Sequence, residues 1–288
     1  MHFLLYVDDT ALAEQAVRYG AQIVKAAGAQ VTLLAAVNSP GDEGRTRAAL
    51  ERAQALLPAR AEEIVRPGRG ALELLREAET GRYDLIVVRS RGRRGWQRLA
   101  FGSLAARLAR YSPIPVIIVK GPARPTIKRL LACSAADVPS DRVARWSGRL
   151  AGWLGAELTL MHVMSQLALS PQAWLRDLTE TAEEAMAEET REGKHLARQL
   201  QVARTHAAQA AQTSGTEPAL RARLRHGLVV DEVMAEAVKA DADLVIIGGH
   251  QAPATFEGAD RMRTYLLEDV ADQIVMALQR PVMVVKGE

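Results

Sequence analysis

Three segments of this chain occur twice and in the same order, which restricts it to architectures assembled from two copies of one unit. Gly28-Ala-Gln-Val-Thr-Leu-Leu-Ala-Ala-Val37 returns as Gly155-Ala-Glu-Leu-Thr-Leu-Met-His-Val163. Tyr83-Asp-Leu-Ile-Val-Val88 returns as Ala242-Asp-Leu-Val-Ile-Ile247, and Pro115-Val-Ile-Ile-Val-Lys120 as Pro281-Val-Met-Val-Val-Lys286. The offsets are 127, 159 and 166, so the second copy carries 32 additional residues before its fourth apolar run and seven more after it. A length of 288 residues gives each copy the size of an ordinary domain.

Each copy alternates strand-like and helix-like patterns. In the first, β-branched apolar runs near residues 3–7, 31–37, 61–65, 84–88 and 115–119 read as parallel strands buried on both faces. Between them, Ala11–Ala27 places Ala13, Ala16, Val17, Ile23 and Val24 on one helical face. Leu72, Leu75 and Ala78 mark a second helix, and Leu104, Leu108 and Ala109 a third. Such alternation means an α/β fold: two tandem open sheets, Rossmann-like, each five-stranded and parallel with right-handed crossovers. Gly121-Pro-Ala-Arg-Pro-Thr126 is the connector between a domain at 1–120 and another at 127–288. The extra residues of the second copy, near 165–215, read as one or two long amphipathic helices broken near Gly193, with Glu183, Glu184, Glu188 and Glu189 on a solvated face.

Charge is unevenly shared. Residues 1–120 hold 18 Lys and Arg against 12 Asp and Glu, whereas residues 127–288 hold 18 against 22. A basic first half suits an anionic ligand, and the acidic second half argues against a phosphate there. The longest apolar runs are strand-sized, well short of the ~20 residues that cross a bilayer, and the first residues lack the basic segment of a signal peptide, so a cytoplasmic location is expected. The single cysteine, Cys133, lies in an apolar run and reads as a buried, inert thiol. His2, His162, His195, His206, His226 and His250 show no metal-ligand spacing, and no metal site is expected.

The stretch after the fourth strand of the first copy carries the chemistry. It runs Val88-Arg89-Ser90-Arg91-Gly92-Arg93-Arg94-Gly95-Trp96-Gln97-Arg98-Leu99-Ala100-Phe101-Gly102-Ser103, with a helical pattern starting at once. Ligands of open parallel sheets bind at the carboxyl ends of the strands. There Gly92 and Gly102 let the backbone approach a phosphate, Ser103 adds a hydroxyl at a helix start, and Arg91, Arg93 and Arg94 add charge. Neither a Walker A nor a dinucleotide glycine pattern is present. With only Trp96 as a nearby aromatic and a net charge of +3, nucleic acid is not the expected partner.

This loop and the tandem arrangement resemble the universal stress protein family, whose nucleotide-binding members carry Gly-x-x-Gly, nine residues, then Gly-Ser/Thr. Gly92, nine residues and Gly102-Ser103 match its second half. Val7-Asp8-Asp9-Thr10 is similar to the family's opening Val-Asp-Gly-Ser. The resemblance implies a stress-response protein that binds ATP or a related adenine nucleotide, with Mg²⁺ as counter-ion, and that is not an enzyme. It places Asp8 on the adenosine moiety, Val37 and Val88 at the base pocket, and Gly92, Gly102 and Ser103 at the phosphates, to which Arg93 would add its charge. It also implies an internal pseudo-dimer through the two fifth strands and allows a homodimer. Arg89 departs from the family's first glycine; its side chain would fill the ribose region or pair with a phosphate. In the second copy Gln251 replaces the second glycine, Glu268-Asp269 stand where Gly102-Ser103 would, and Ser134 or Ala135 replaces Asp8. Only the first copy is therefore expected to bind nucleotide. The alternative is an interaction scaffold of the same fold that binds none.

Overall fold

In a computed structural model the described residues are 1–37, 39, 41–90, 104–121, 124–134, 141–165, 181–249 and 270–286. The first unit runs β1 (His2–Val7), α1 (Ala11–Ala27), β2 (Gln30–Val37), α2 (Glu43–Gln54), β3 (Glu62–Pro67), α3 (Gly70–Ala78), β4 (Leu85–Arg89), α4 (Leu104–Tyr111) and β5 (Val116–Val119). The second runs β6 (Arg129–Ser134), α5 (Asp141–Leu154), β7 (Glu157–Ser165), α6 (Ala182–Ala187), α7 (Arg191–Ser214), β8 (Leu220–Gly227), α8 (Val229–Lys239), β9 (Leu244–Gly249), helical residues 270–277 and β10 (Val282–Lys286).

The strands form one ten-stranded sheet in the order β3-β2-β1-β4-β5-β10-β9-β6-β7-β8. Within each unit every pairing is parallel; β5 and β10 alone run antiparallel, with Ile117 opposite Met283. The fifth strands thus join the units into an internal pseudo-dimer and cover two edges that would otherwise be open. Helices lie on both faces. One core holds Phe3, Ile23, Leu50, Ile117, Leu150, Leu200 and Met283; the other holds Leu4, Leu74, Leu108, Ile118, Val233 and Val284. Each core therefore spans both units.

The aspartates of the repeated fourth-strand segments have a shared task. Asp84 Oδ2 accepts the N–H of His2 at 2.8 Å, and Asp243 Oδ2 accepts those of Lys128 and Arg129, both at 2.9 Å. Each carboxylate ties the start of a fourth strand to the start of the neighbouring first strand.

Two expectations need correction. On α3, Leu75 and Ala78 pack against the core as expected, but Leu72 is 41% exposed and Leu74 is buried in its place, with Glu73 and Glu77 buried too. Glu77 tolerates burial because Arg66, Arg82 and the Tyr83 hydroxyl all donate to it, at 3.2, 3.1 and 2.9 Å. Burial alone would raise its pKa, yet these bonds hold it below the usual carboxylate range. The helical break in the second unit lies at 188–190, ahead of Gly193. Thr181 and Glu184 form a capping box on α6, and Glu183, Glu184, Glu188 and Glu189 are all exposed, as expected of a solvated face. Thr190 then caps α7 by accepting the N–H of Gly193 at 3.1 Å.

The connector is anchored electrostatically. Arg124 donates to Asp241 at 2.6 Å, and Arg129 and Arg280 approach the same carboxylate at 2.8 and 3.0 Å. The Arg124 hydrogen bond foremost, with Arg280 behind it, lowers the Asp241 pKa from 3.8 to about 2. A depressed folded-state value stabilises the fold fully above the unfolded value, and that contribution disappears as pH falls from about 4 to about 2. NMR titration should find Asp241 ionising near the lower figure, and Arg124→Gln should move it back toward 3.8. An ordinary value in the unmodified protein would contradict the anchor.

Candidate functional site

In an open parallel sheet a crevice forms where the chain winds to opposite sides of neighbouring strands, outside their carboxyl ends. In the first unit that place lies between β1 and β4, which are adjacent and parallel. Asp8 follows β1 directly and is half-buried. Its Oδ1 accepts the backbone N–H of Thr10 at 3.1 Å and also the Thr10 hydroxyl. The same hydroxyl accepts the N–H of Ala13 at 3.3 Å, so Thr10 caps α1 while Asp8 steadies the cap. This turn fixes Asp8 at the carboxyl end of β1, where β1 and β4 lie side by side. Asp9 lies on the rim, 3.8 Å from Arg45 of α2, which also pairs with Asp42.

Val37 ends β2, half-buried, with its carbonyl accepting the Gly68 N–H at 3.0 Å. Val88 is completely buried, in the same core as Tyr6, Leu74 and Leu108. Gly92, Arg93, Gly102 and Ser103 lie outside the described residues, as do His250, Gln251, Glu268 and Asp269 of the second unit. The structure begins again at Leu104, the first residue of α4.

Arg89 is the last residue of β4, paired in register with Val119. β4 has β1 on one side and β5 on the other, and the guanidinium turns toward β5. It donates to the carbonyls of Val119 and Gly121 at 3.3 and 3.0 Å. Its Nε is buried without a hydrogen-bond partner, and burial lowers the pKa of the group. It is a cation held by neutral carbonyls beside the crevice.

Sequence reading passed over a motif that shapes the neighbouring corner. Arg66, Gly68, Glu73 and Glu77 recur as Arg225, Gly227, Glu232 and Glu236, all at the offset of 159 already seen for the fourth strands. Arg66 pairs with Glu77 and Arg225 with Glu236, while Gly68 and Gly227 take φ of 129° and 150°, a backbone that favours glycine. The repeated spacing was the available signal. Also missed was the pairing of His162 and His195, 33 positions apart, whose ring centroids lie 5.2 Å from each other between β7 and α7. Among the described residues no group of three His, Cys, Asp or Glu could hold a metal ion. Burial, with the Glu236 carboxylate behind it, pushes the Cys133 thiol up to about 12. No helix of the described residues is long and apolar enough to cross a membrane.

The sequence model of the universal stress protein family matches residues 1–120 and again 126–286. Comparison with curated proteins finds no match. Among solved structures, a universal stress protein from Archaeoglobus fulgidus DSM 4304 is similar over 99% of this chain and 96% of its own, with a TM-score of 0.64 and 18% identity. A functionally unknown protein from Pseudomonas aeruginosa PAO1 is similar over 99% and 92%, with a TM-score of 0.65 and 16% identity. A third, a universal stress protein assigned as such from Pseudomonas aeruginosa UCBPP-PA14, scores 0.65 at 15% identity over the same shares. At these identities the likeness concerns the fold.

Proposed function

The chain belongs to the universal stress protein family, and from that premise we propose that it binds ATP or a related adenine nucleotide in its first unit only. The observation that carries this reading is Asp8, held by Thr10 at the carboxyl end of β1 where the strands wind apart. Arg89 adds to it. Because the guanidinium rests on the carbonyls of Val119 and Gly121, it lies toward β5 rather than β1. That geometry favours an open crevice over the scaffold reading, in which Arg89 plugs it. The sequence supplies the remaining parts: Gly92, Arg93, Gly102 and Ser103 contact phosphate, and magnesium is carried by the phosphates themselves.

The role is binding rather than turnover. Among the described residues the carboxylates beside this crevice are Asp8 and Asp9, the first engaged with Thr10 and the second near Arg45. The absence of a long apolar helix among the described residues supports a cytoplasmic setting for this binding.

Calorimetry with ATP is expected to show one equivalent bound per chain. Gly102→Asp, which sets a carboxylate beside the phosphates, should weaken binding at least about tenfold, or ~1.4 kcal/mol. Two equivalents would contradict the asymmetry between the units. No binding by the unmodified protein, with binding gained in Arg89→Gly, would return the assignment to a scaffold.

A further inference from the structure

Charge is segregated by face. On the side of the first core, α1, α5 and α7 together hold nine lysines and arginines against three carboxylates. On the other side, α3, α4, α8 and residues 270–277 hold four against six. Two of those three carboxylates are already engaged. Glu14 pairs with Arg52 of α2 at 2.8 Å, and Asp141 accepts from Arg198 and Gln199 at 2.6 and 2.9 Å. The third, Glu192, lies in the first turn of α7, and from Gly193 to Ser214 that helix has no carboxylate. A net charge of +3 averages these unlike faces, whereas a partner meets the local field.

Five cations of this face form no ion pair: Arg18 and Lys25 of α1, Arg145 and Arg149 of α5, and Arg204 of α7. Arg149 is half-buried and the other four are exposed. They stand on one rigid layer. α1 touches α5, and α5 runs so close to α7 that a side chain on Gly148 or Gly152 would overlap the carbonyl of Ala203 or Ala207. Burial foremost, with Arg149 and then Arg145 behind it, lowers the pKa of His206, so both α5 arginines act on α7.

The composition of the face narrows its partner. Among the described residues the large exposed hydrophobics are Met1, Val65, Leu72, Tyr111, Leu228 and Val238, none of them on α1, α5 or α7. A protein partner would find no apolar anchor there, and a membrane no side chain to insert. Trp146 and Trp153 pack against the core, and Arg149 lies 5.9 Å from the Trp146 ring centroid, so unpaired bases have no stacking platform. A plane of arginine and lysine suits a regular line of phosphates. We propose that the face formed by α1, α5 and α7 binds the phosphate backbone of a nucleic-acid duplex without reading its sequence. Nucleotide binding in the first unit is independent of this surface, and either can fail alone.

Fluorescence anisotropy of a labelled DNA duplex of mixed sequence, titrated with the full chain between about 50 and 200 mM salt, tests it. Five phosphate contacts give a slope of log K against log salt of about −4.5, a loss of roughly 500-fold over that range. Arg145→Gln combined with Arg149→Gln should reduce the slope to about −2.7 and the loss to roughly 40-fold. Lys239→Gln, on the opposite side, should change neither, and every variant should bind ATP as the unmodified protein does. Failure to bind duplex at the lowest salt overturns the proposal. So does a slope that survives the Arg145 and Arg149 changes but falls in Arg93→Gln with Arg94→Gln, since the contacts would then lie in the segment after β4. Sedimentation with phosphatidylserine vesicles, without duplex binding, would assign the face to a membrane and overturn it likewise.

Discussion

Met283→Asp is expected to unfold both units at once. Met283 is fully buried, faces Ile117 across the antiparallel seam, and belongs to a core that runs without interruption from α1 to α7. A carboxylate there has no donor within the sheet ladder to satisfy it, and burying an unpaired charge in such a site costs on the order of 5 kcal/mol or more. That is comparable to the whole stability of many domains. Urea unfolding followed by circular dichroism should show little folded protein even without denaturant. The conservative Met283→Leu should stay within about 1.5 kcal/mol of the unmodified protein, in a single transition. If Met283→Asp instead leaves one unit folded and the other lost, the cores are separable and the reading of one cooperative sheet fails.

The second large effect concerns α7. A side chain on Gly148 would overlap the carbonyl of Ala203, and one on Gly152 that of Ala207, because α5 and α7 meet backbone to backbone. Gly193 repeats the arrangement between α7 and α6, where it lies against the carbonyl of Ala185. Gly152→Leu should cost about 3 kcal/mol or more, since rigid backbone and not a flexible side chain must move. Local proteolysis within 191–214 should rise in parallel. A loss below about 1 kcal/mol would show that the helices are not in such contact.

The repeat made the architecture legible. The inner parallel strands are continuous apolar runs, unlike the edge strands β3 and β8, and three of them retain their wording in both units. The fold could be read from that repeat, while the fifth-strand pairing came from the family resemblance. Residues 11–27 were visible as a helix because Ala13, Ala16, Val17, Ile23 and Val24 recur on one face. What escaped was chemistry whose partners are distant or of the wrong apparent character. Glu77 and Glu236 look like surface residues until their arginines, eleven positions away, are brought beside them. His162 and His195 meet only because α7 crosses β7. Gly148 and Gly152 pass for ordinary helix glycines, since nothing local reveals a carbonyl from another helix. At the crevice, the position of Asp8 could be inferred but the role of Thr10 in holding it could not. The direction taken by Arg89 depended on the carbonyls of Val119 and Gly121 at the end of β5, which no motif records.

Because β5 and β10 belong to one chain, their pairing has an effective concentration set by the tether and not by the amount of protein present. Dilution cannot separate the units, and the unfolding midpoint should not depend on protein concentration, as it does for a dimer of separate chains. The same closure insulates the protein from its relatives. A single-unit protein that pairs through its fifth strand finds that edge already occupied, so mixed assemblies by this route are excluded and the unequal units remain in fixed one-to-one ratio.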